Sequence, residues 1–478
     1  MNEMITFNTN LIELCDTLKK NEKHTPHIDL NEIQIDCLNE TEVNAFLSLS
    51  SLKTNINITC LKIINHNKII TLKQIFHTFN PLSLKKLFLS HGIDIKYATD
   101  DDDGSITYCD VEEINDDIFK EEISRFVELQ FFDLQDGCKI TDVGWECLSL
   151  SNTHLTHLHL QKNGFQMTNN GLQHISTKLM NLTHLHLQDC CKININIGLQ
   201  HICEGLTKLT HLHLNTNHYS IINLDFYKHS EIEPSFCQTY TSNEGLQHLS
   251  SLKRLKHLHF CYFWNVTNEG YQYIFDLPKL QTLELHHCTH LHLSSLKLSK
   301  LLKHLSLSYC KMTDEGFLCI SELSELTKLS LQDCHEVTDV GLCHISKNLK
   351  NLTHLEICRC HIVTNVGLKH ISNLEELIEL RIDLANYKEG HVSVVGLQCL
   401  LSSLKKLECL WMENCGRVSE EEWYNILIPL LCRSPSLKTH MIRNCSFESD
   451  EYCSSFLNAK LTGKIYKLQN EKMMLVDF

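Results

Sequence analysis

One short stretch constrains the fold more than any other feature, because related stretches return along nearly the whole chain. The copy at 326–345 reads LTKLSLQDCHEVTDVGLCHI. Within it, Leu329 and Leu331 have the alternating spacing of a strand with one buried face. Leu342 and Ile345 follow at helical spacing. Each copy therefore predicts one strand followed by one helix.

The first apolar residue of each predicted strand marks roughly fifteen copies. These markers are Leu30, Ile58, Leu84, Leu129, Leu155, Leu182, Leu209, Leu255, Leu280, Leu302, Leu326, Leu352, Leu377, Leu407 and Leu437. Two long spacings predict insertions, at about 93–122 and 218–240. Because a lone strand and helix have nothing to bury against, the copies must stack. We expect an N-terminal cap at 1–29, a solenoid at 30–446 and a C-terminal cap at 447–478.

The repeated motif resembles the cysteine-containing leucine-rich repeats known from F-box/LRR substrate receptors of ubiquitin ligases. The resemblance covers about residues 126–445. It is carried by strands of the form L-x-x-L-x-L-x-x-C and by helix openings at Thr141 to Gly144, Thr168 to Gly171, Thr338 to Gly341 and Thr364 to Gly367. It implies an α/β fold, a right-handed solenoid or horseshoe with parallel strands on the concave side and helices on the convex side. It also implies that the concave face binds another protein. An F-box is not recognisable, since residues 1–29 hold a single helical stretch.

The helix openings pair a threonine with an aspartate or asparagine, as at Thr141–Asp142, Thr313–Asp314 and Thr338–Asp339. Short oxygen-bearing side chains at this position accept hydrogen bonds from the first N–H groups of a helix. We expect both members of each pair to serve their own helix.

Cysteine is abundant, with 24 residues, and its position suggests why. Seven cysteines fall three residues after the last strand leucine of a copy, at Cys190, Cys288, Cys310, Cys334, Cys360, Cys415 and Cys445. A buried thiol fills space and donates weakly to a carbonyl oxygen. Unoxidised thiols indicate a reducing compartment, so we expect an intracellular, cytoplasmic protein.

Charge limits the class of partner. With 43 basic and 58 acidic residues the net charge is −15. This balance disfavours nucleic acid and favours a neutral or basic protein partner. No run approaches the ~20 apolar residues that cross a bilayer, so no membrane association is expected.

Histidines occupy outward-facing positions of four predicted strands. They form two rows, His157, His184, His211 and His257 in one and His159, His186, His213 and His259 in the other. Neighbouring strands lie ~4.8 Å apart, which brings such rings within reach of one another.

Three interpretations of the histidine rows stay open: metal binding, a response to pH, and copying of a tolerated polar residue by duplication. Metal binding lacks second-shell carboxylates, and nothing in the repeat is expected to orient the rings. Charging all 31 histidines would move the net charge from −15 to +16. Acidification toward pH 5 is therefore expected to weaken binding of a basic partner.

Further along, outward positions change to residue types that often carry binding energy. We expect Tyr309, Arg359, Arg381 and Trp411 to contact the partner. Tyr262 and Trp264 are candidates too, with packing against the insertion at 218–240 as the alternative.

The segment TDDDDGSITYCD at 99–110 resembles the calcium loop of an EF-hand. Asp101, Asp103 and Asp110 stand at ligand positions, but Thr99 replaces the first aspartate. An acidic surface loop is the simpler interpretation, so no cofactor and no metal are expected.

The residues do not predict an enzyme, because no nucleophile motif, phosphate loop or zinc-protease motif occurs. The sequence predicts a protein-interaction scaffold or recognition subunit that binds through its concave face. One alternative is the recognition subunit of a ubiquitin ligase with a divergent or separate F-box, which would bind ligase components. A second is a metal-binding or pH-responsive histidine-rich binding protein.

Overall fold

The computed structural model describes the parts of the chain that carry most of the predicted strands and helices. The described residues are 28–36, 56–64, 72–77, 80–90, 114–135, 140–161, 166–188, 190, 192–215, 241–261, 266–288, 290–310, 312–334, 337–359, 363–383, 392–413, 422–433, 436–443, 457–460, 465–469 and 472–476. The chain forms two compact units, Met1–Tyr240 and Thr241–Phe478. Most of the insertion predicted at 93–122 and all of that at 218–240 lie outside the described residues.

Unit 1 is a parallel sheet with one helix between most successive strands. Its strands are Ile28–Asp36 (β1), Ile56–Ile64 (β2), Lys86–Ser90 (β3), Phe131–Gln135 (β4), His157–Gln161 (β5), His184–Gln188 (β6) and His211–Asn215 (β7). Its helices are Leu72–His77 (α1), Asp116–Glu121 (α2), Asp142–Ser151 (α3), Asn169–Lys178 (α4) and Ile195–Gly205 (α5). Each strand pairs in parallel with the next one in the sequence.

Unit 2 repeats this arrangement. Its strands are His257–Cys261 (β8), Thr282–His286 (β9), His304–Ser308 (β10), Lys328–Gln332 (β11), His354–Cys358 (β12), Glu379–Asp383 (β13), Cys409–Glu413 (β14), Thr439–Arg443 (β15), Leu457–Lys460 (β16), Ile465–Gln469 (β17) and Lys472–Val476 (β18). Its helices are Asn243–Gln247 (α6), Asn268–Phe275 (α7), Asp314–Ile320 (α8), Asp339–Asn348 (α9), Asn365–Ile371 (α10), Val394–Ser403 (α11) and Ile428–Arg433 (α12). Strands β8 to β15 pair in parallel and in sequence order. The antiparallel strand β16 ends this sheet, and β17 pairs with β18.

The alternation of leucines along each strand decides which face is buried. In β11, Leu329 and Leu331 are 1% and 0% exposed, whereas Ser330 between them is half-buried. Helical residues such as Leu342 and Ile345 of α9 are also buried and complete the core. Within each unit, most described copies therefore contribute one strand and one helix to the apolar interior, and the predicted α/β repeat solenoid is confirmed.

The cysteines that follow the strands, which we call the turn cysteines, have the predicted environment. Cys190, Cys288, Cys310 and Cys334 are all buried. The Cys310 thiol donates to the Ser308 carbonyl oxygen at 3.3 Å. Burial raises the pKa of the Cys334 thiol to about 12, so this side chain stays protonated. No disulfide joins the cysteines of the described residues, while Cys360, Cys415 and Cys445 lie outside them.

The helix openings differ from the prediction in one respect. The threonine does cap its own helix, as where Thr141 Oγ1 accepts from the Val143 N–H at 3.2 Å. The aspartate instead serves the following copy: Asp116 accepts from the N–H and the hydroxyl of Thr141 at 2.8 and 2.6 Å. Asp142 and Asp339 bind the next threonines, Thr168 and Thr364, in the same way. The expectation that the aspartate caps its own helix is therefore wrong, because neighbouring helices lie close enough to share the carboxylate.

The glycine of the motif has a packing reason. The Gly144 N–H donates to Asp116 Oδ1 at 3.1 Å. A Cβ atom added at Gly144 would lie only 2.5 Å from that same oxygen. The Thr-Asp-x-Gly motif thus encodes contacts between copies as well as helix starts.

Candidate interaction surface

The sheet of each unit has one face that the helices do not cover. Along a strand such as β9, the first, third and fifth residues are half-buried and the second and fourth are buried. We call the surface formed by these half-buried residues the open face of the unit. Side chains on neighbouring strands are in register there, so each strand position forms a row across the sheet.

The histidines of unit 1 stack along the open face. His157, His184 and His211 lie in one row, with ring centroids 3.9 Å apart for each successive pair. In the second row the rings of His186 and His213 are 3.7 Å apart, and His159 is tilted against His186 at 5.6 Å. Unit 2 holds the remaining pair, His257 and His259 on β8.

The repeat does orient the rings of the first row, contrary to the expectation from sequence. The Thr156 hydroxyl is hydrogen bonded to Nδ1 of His157 at 2.8 Å, and Thr183 holds His184 in the same way at 2.9 Å. Each threonine directly precedes its histidine, so the L-T-H-L motif supplies the partner itself. Burial lowers the pKa of His157, and the neighbouring His159 and Lys86 lower it further. The environment of His157 therefore favours its neutral form.

The open face of unit 2 contains a broad cavity with a volume of about 420 Å³. Carboxylates and cationic groups share its lining, chiefly Glu284, Glu356, Glu379, Lys328 and Arg381. Several are held by neighbours: the Ser330 hydroxyl donates to Glu356 at 2.9 Å, and Arg381 Nε donates to Glu379 at 2.7 Å. The polar groups of the cavity are thus partly ordered before any ligand binds.

Arg381 and Trp411, both predicted contact residues, lie together at one end of this face. They are paired residues of β13 and β14, and the Arg381 guanidinium lies over the Trp411 ring at 5.5 Å. Arg381 is exposed and Trp411 is half-buried. The pair presents an ordered cation and an aromatic surface to solvent.

Tyr309 and Arg359 occupy a different place from the strand positions. They belong to a series with positive φ, made of His287, Tyr309, Asp333 and Arg359, which we call the turn row. Each follows the last residue of a strand and precedes the turn cysteine of its copy, and its N–H donates to the final residue of the next strand. A left-handed backbone costs a residue with a Cβ about 1–2 kcal/mol, which these hydrogen bonds offset.

Side chains of the turn row contact one another from copy to copy. The Tyr309 ring stacks on His287 with centroids 4.4 Å apart. Arg359 lies between Asp333 and Asp383, with N···O distances of 3.7 and 3.9 Å. Sequence reasoning selected Tyr309 and Arg359 by residue type but missed the row. In the sequence, the turn row can be recognised as the residue directly before each turn cysteine, whose type differs from copy to copy.

One group of side chains has the residue types of a metal site. His259, Cys261 and His286 offer ligand atoms that lie within 4.8 Å of one another. The acidic candidates Asp101, Asp103 and Asp110, and the aromatic candidates Tyr262 and Trp264, lie outside the described residues.

Comparison with known proteins finds a family match in two segments of the chain. A family described as "Leucine Rich repeat" matches residues 151–176 and 298–321. No curated protein matches the chain. None of the described helices is long and apolar enough to cross a membrane.

Three solved structures resemble the chain at low identity. An internalin, InlF of Listeria monocytogenes, is 19% identical over 68% of this chain and 76% of its own, with a TM-score of 0.40. A complex of Rad7 and Elc1 in yeast is 14% identical over 90% and 86%, with a TM-score of 0.41. A TLR13–ssRNA13 complex is 16% identical over 92% and 60%, with a TM-score of 0.42. None is similar enough to support an inference about function.

Proposed function

We propose that the chain is a leucine-rich repeat binding scaffold whose protein partner docks on the open face of unit 2. The observation that carries this proposal is the cavity of about 420 Å³ bordered by Arg381, with Trp411 beside it. Tryptophan and arginine are the residue types that most often dominate binding energy when a partner desolvates them.

Side chains that are already held in place on this surface support the same function. Binding normally costs about 0.5–1.5 kcal/mol for each flexible side chain that becomes immobilised. Glu379 holds Arg381, and Ser330 holds Glu356, so part of that ordering is already present. The surface is thus preorganised for a partner of complementary shape and charge.

Charge indicates the chemistry of the partner. Glu284, Glu356 and Glu379 outnumber Lys328 and Arg381 in the cavity lining, and the whole chain carries a net charge of −15. The hydrogen bond from His259 lowers the pKa of Glu284, which keeps that carboxylate ionised. We therefore infer a partner with a basic segment that enters the cavity and pairs with these carboxylates.

Photo-crosslinking from two positions tests the proposal. A benzoylphenylalanine replacing Lys328, which is exposed at the cavity, is compared with one replacing Val340 on α9, which is 54% exposed. In lysate of the source cells, the Lys328 position should capture one protein that the Val340 position does not. Adding Arg381→Ala and Trp411→Ala should abolish that product. Equal capture from both positions, or capture that survives the double substitution, would contradict the proposal.

The ubiquitin-ligase role stays a separate proposal that rests on the resemblance of the repeats alone. It predicts that cullin-complex adaptor proteins co-purify with the tagged full chain. A binding scaffold without that role predicts that the crosslinked partner co-purifies and the adaptors do not.

A further inference from the structure

Four side chains of three chemical types meet where β8 and β9 pair on the open face of unit 2. Cys261 lies directly opposite His286, and His259 lies directly opposite Glu284. Residues two apart on a strand share a face, and paired residues on neighbouring strands lie about 5 Å apart. The register therefore places two imidazoles, one thiol and one carboxylate in a single square.

The distances within this square suit a metal ion. His259 Nε2 and Cys261 Sγ are 3.2 Å apart, and the ligand atoms of His259, Cys261 and His286 all lie within 4.8 Å of one another. Tetrahedral zinc has Zn–N bonds of about 2.1 Å and Zn–S bonds of about 2.3 Å, which sets its ligands roughly 3.5 Å apart. Small rotations of half-buried side chains would close the remaining difference.

Neighbouring groups fix the rings as they do in known metal sites. Glu284 Oε2 lies 2.7 Å from Nδ1 of His259, which leaves Nε2 of that ring facing the thiol. A carboxylate bonded to the second nitrogen of a ligating histidine orients the ring and raises its basicity. The Ser308 hydroxyl is hydrogen bonded to Nδ1 of His286 and holds the second ring. The sequence did not reveal these hydrogen-bond partners of the two rings.

We propose that His259, Cys261 and His286 bind one zinc ion, while Glu284 accepts a hydrogen bond from Nδ1 of His259 and a fourth coordination position stays open to water. One thiolate and two imidazoles form a ligand set of borderline softness that suits zinc. The square is formed by the third and fifth residues of β8 and β9. At these positions the other described strands from β5 to β13 carry different pairs of residues, such as His186 with Gln188 and Glu356 with Cys358. The full combination of His, Cys, Glu and His occurs at β8–β9 within that described series.

Metal stoichiometry and affinity of the purified full chain test this proposal. The protein is stripped with a chelator, reloaded with Zn²⁺ and titrated against a competing chelator. We expect one tightly held zinc ion per chain. Cys261→Ser and His286→Asn should each abolish it or weaken it more than Glu284→Ala, which should cost on the order of 10–100-fold in affinity.

Matched variants separate this site from the other histidines and cysteines. Cys358→Ser removes a thiol from the same strand position in β12, and His257→Asn removes an imidazole from β8 itself. Both should leave the tight zinc ion in place. Circular dichroism of every stripped variant checks that it remains folded.

X-ray absorption at the zinc edge gives the identity of the ligands. The proposal predicts one sulfur at about 2.3 Å and two nitrogens at about 2.0–2.1 Å. A chain that holds no tight zinc, or whose zinc survives Cys261→Ser with an unchanged spectrum, would overturn it. Loss of zinc in Cys358→Ser to the same extent as in Cys261→Ser would overturn it as well.

Discussion

The Arg381 guanidinium lies over the Trp411 ring, with 5.5 Å between its central carbon and the ring centroid. The two residues are paired on β13 and β14, so the sheet itself brings the cation onto the aromatic face. Such a pair contributes about 0.5–1 kcal/mol when exposed and more when a partner removes water from it. The pair therefore gains strength on binding.

Trp411→Ala should weaken binding of the crosslinked partner by about 2 kcal/mol, which corresponds to roughly 30-fold. Arg381→Lys keeps the charge but loses the planar stacking surface, so a smaller loss is expected. Titration calorimetry with both variants checks the order. Leu318→Ala, at an exposed residue of α8, serves as a control and should leave the affinity unchanged.

Asp339→Ala should lower the free energy of unfolding by about 2–3 kcal/mol, because hydrogen bonds to charged groups contribute about 1.5–3 kcal/mol each. The carboxylate accepts from both the N–H and the hydroxyl of Thr364. Asp339→Asn should cost much less, since Asn243 and Asn365 accept from Thr267 and Ser393 at the same place in other copies. Urea unfolding measures both variants, and an unchanged free energy of unfolding in Asp339→Ala would contradict a stabilising contact between copies.

Gly367→Ala should destabilise the protein even though alanine normally favours a helix by about 1 kcal/mol. The added Cβ would clash with Asp339 Oδ1 and would lie 2.9 Å from Leu342 Cδ1. If the aspartate is the main obstacle, the double variant Asp339→Ala with Gly367→Ala should be less destabilised than the sum of the two single variants. Strict additivity in urea unfolding would contradict this explanation of the motif.

Stability should fall as the pH drops below about 6.5, the usual value for an unfolded histidine. Burial lowers the pKa of His157 in the folded protein, so the unfolded chain takes up the proton first and acid favours unfolding. His159, His184, Lys86 and Phe131 surround or stack on this ring. Thermal unfolding between pH 7.5 and 5 should show a shallower decline for His157→Gln than for the original chain. A steeper decline in the variant would reverse the assigned sign.

The same lowered pKa refines the expected response of binding to pH. Because burial lowers the pKa of His157, this ring charges at a lower pH than an exposed histidine does, so any weakening of a basic partner that depends on it should begin below pH 6.5. Partner affinity that stays flat between pH 7.5 and 5.5 would rule out a role for histidine charging in that range.

The sequence predicted the strands and helices well because their periodicity comes from one simple requirement, burial of one face. The markers from Leu84 to Leu437 are all buried residues. Contacts between copies were less predictable. Asp116 binds Thr141 of the next copy only because two helices lie close together, and no local sequence pattern reports the distance between those helices. The turn row and the square at His259 were missed for the same reason. Each joins residues about 25 positions apart, and only the strand register brings them together.

Charge reversal at Glu356 tests the central proposal most directly. Glu356 lines the cavity on β12, and Glu375 is an exposed carboxylate that follows α10. We predict that Glu356→Lys weakens the affinity of the crosslinked partner at least 10-fold in titration calorimetry, while Glu375→Lys leaves it unchanged. Equal affinities for both variants, or a loss confined to Glu375→Lys, would contradict docking on the open face of unit 2.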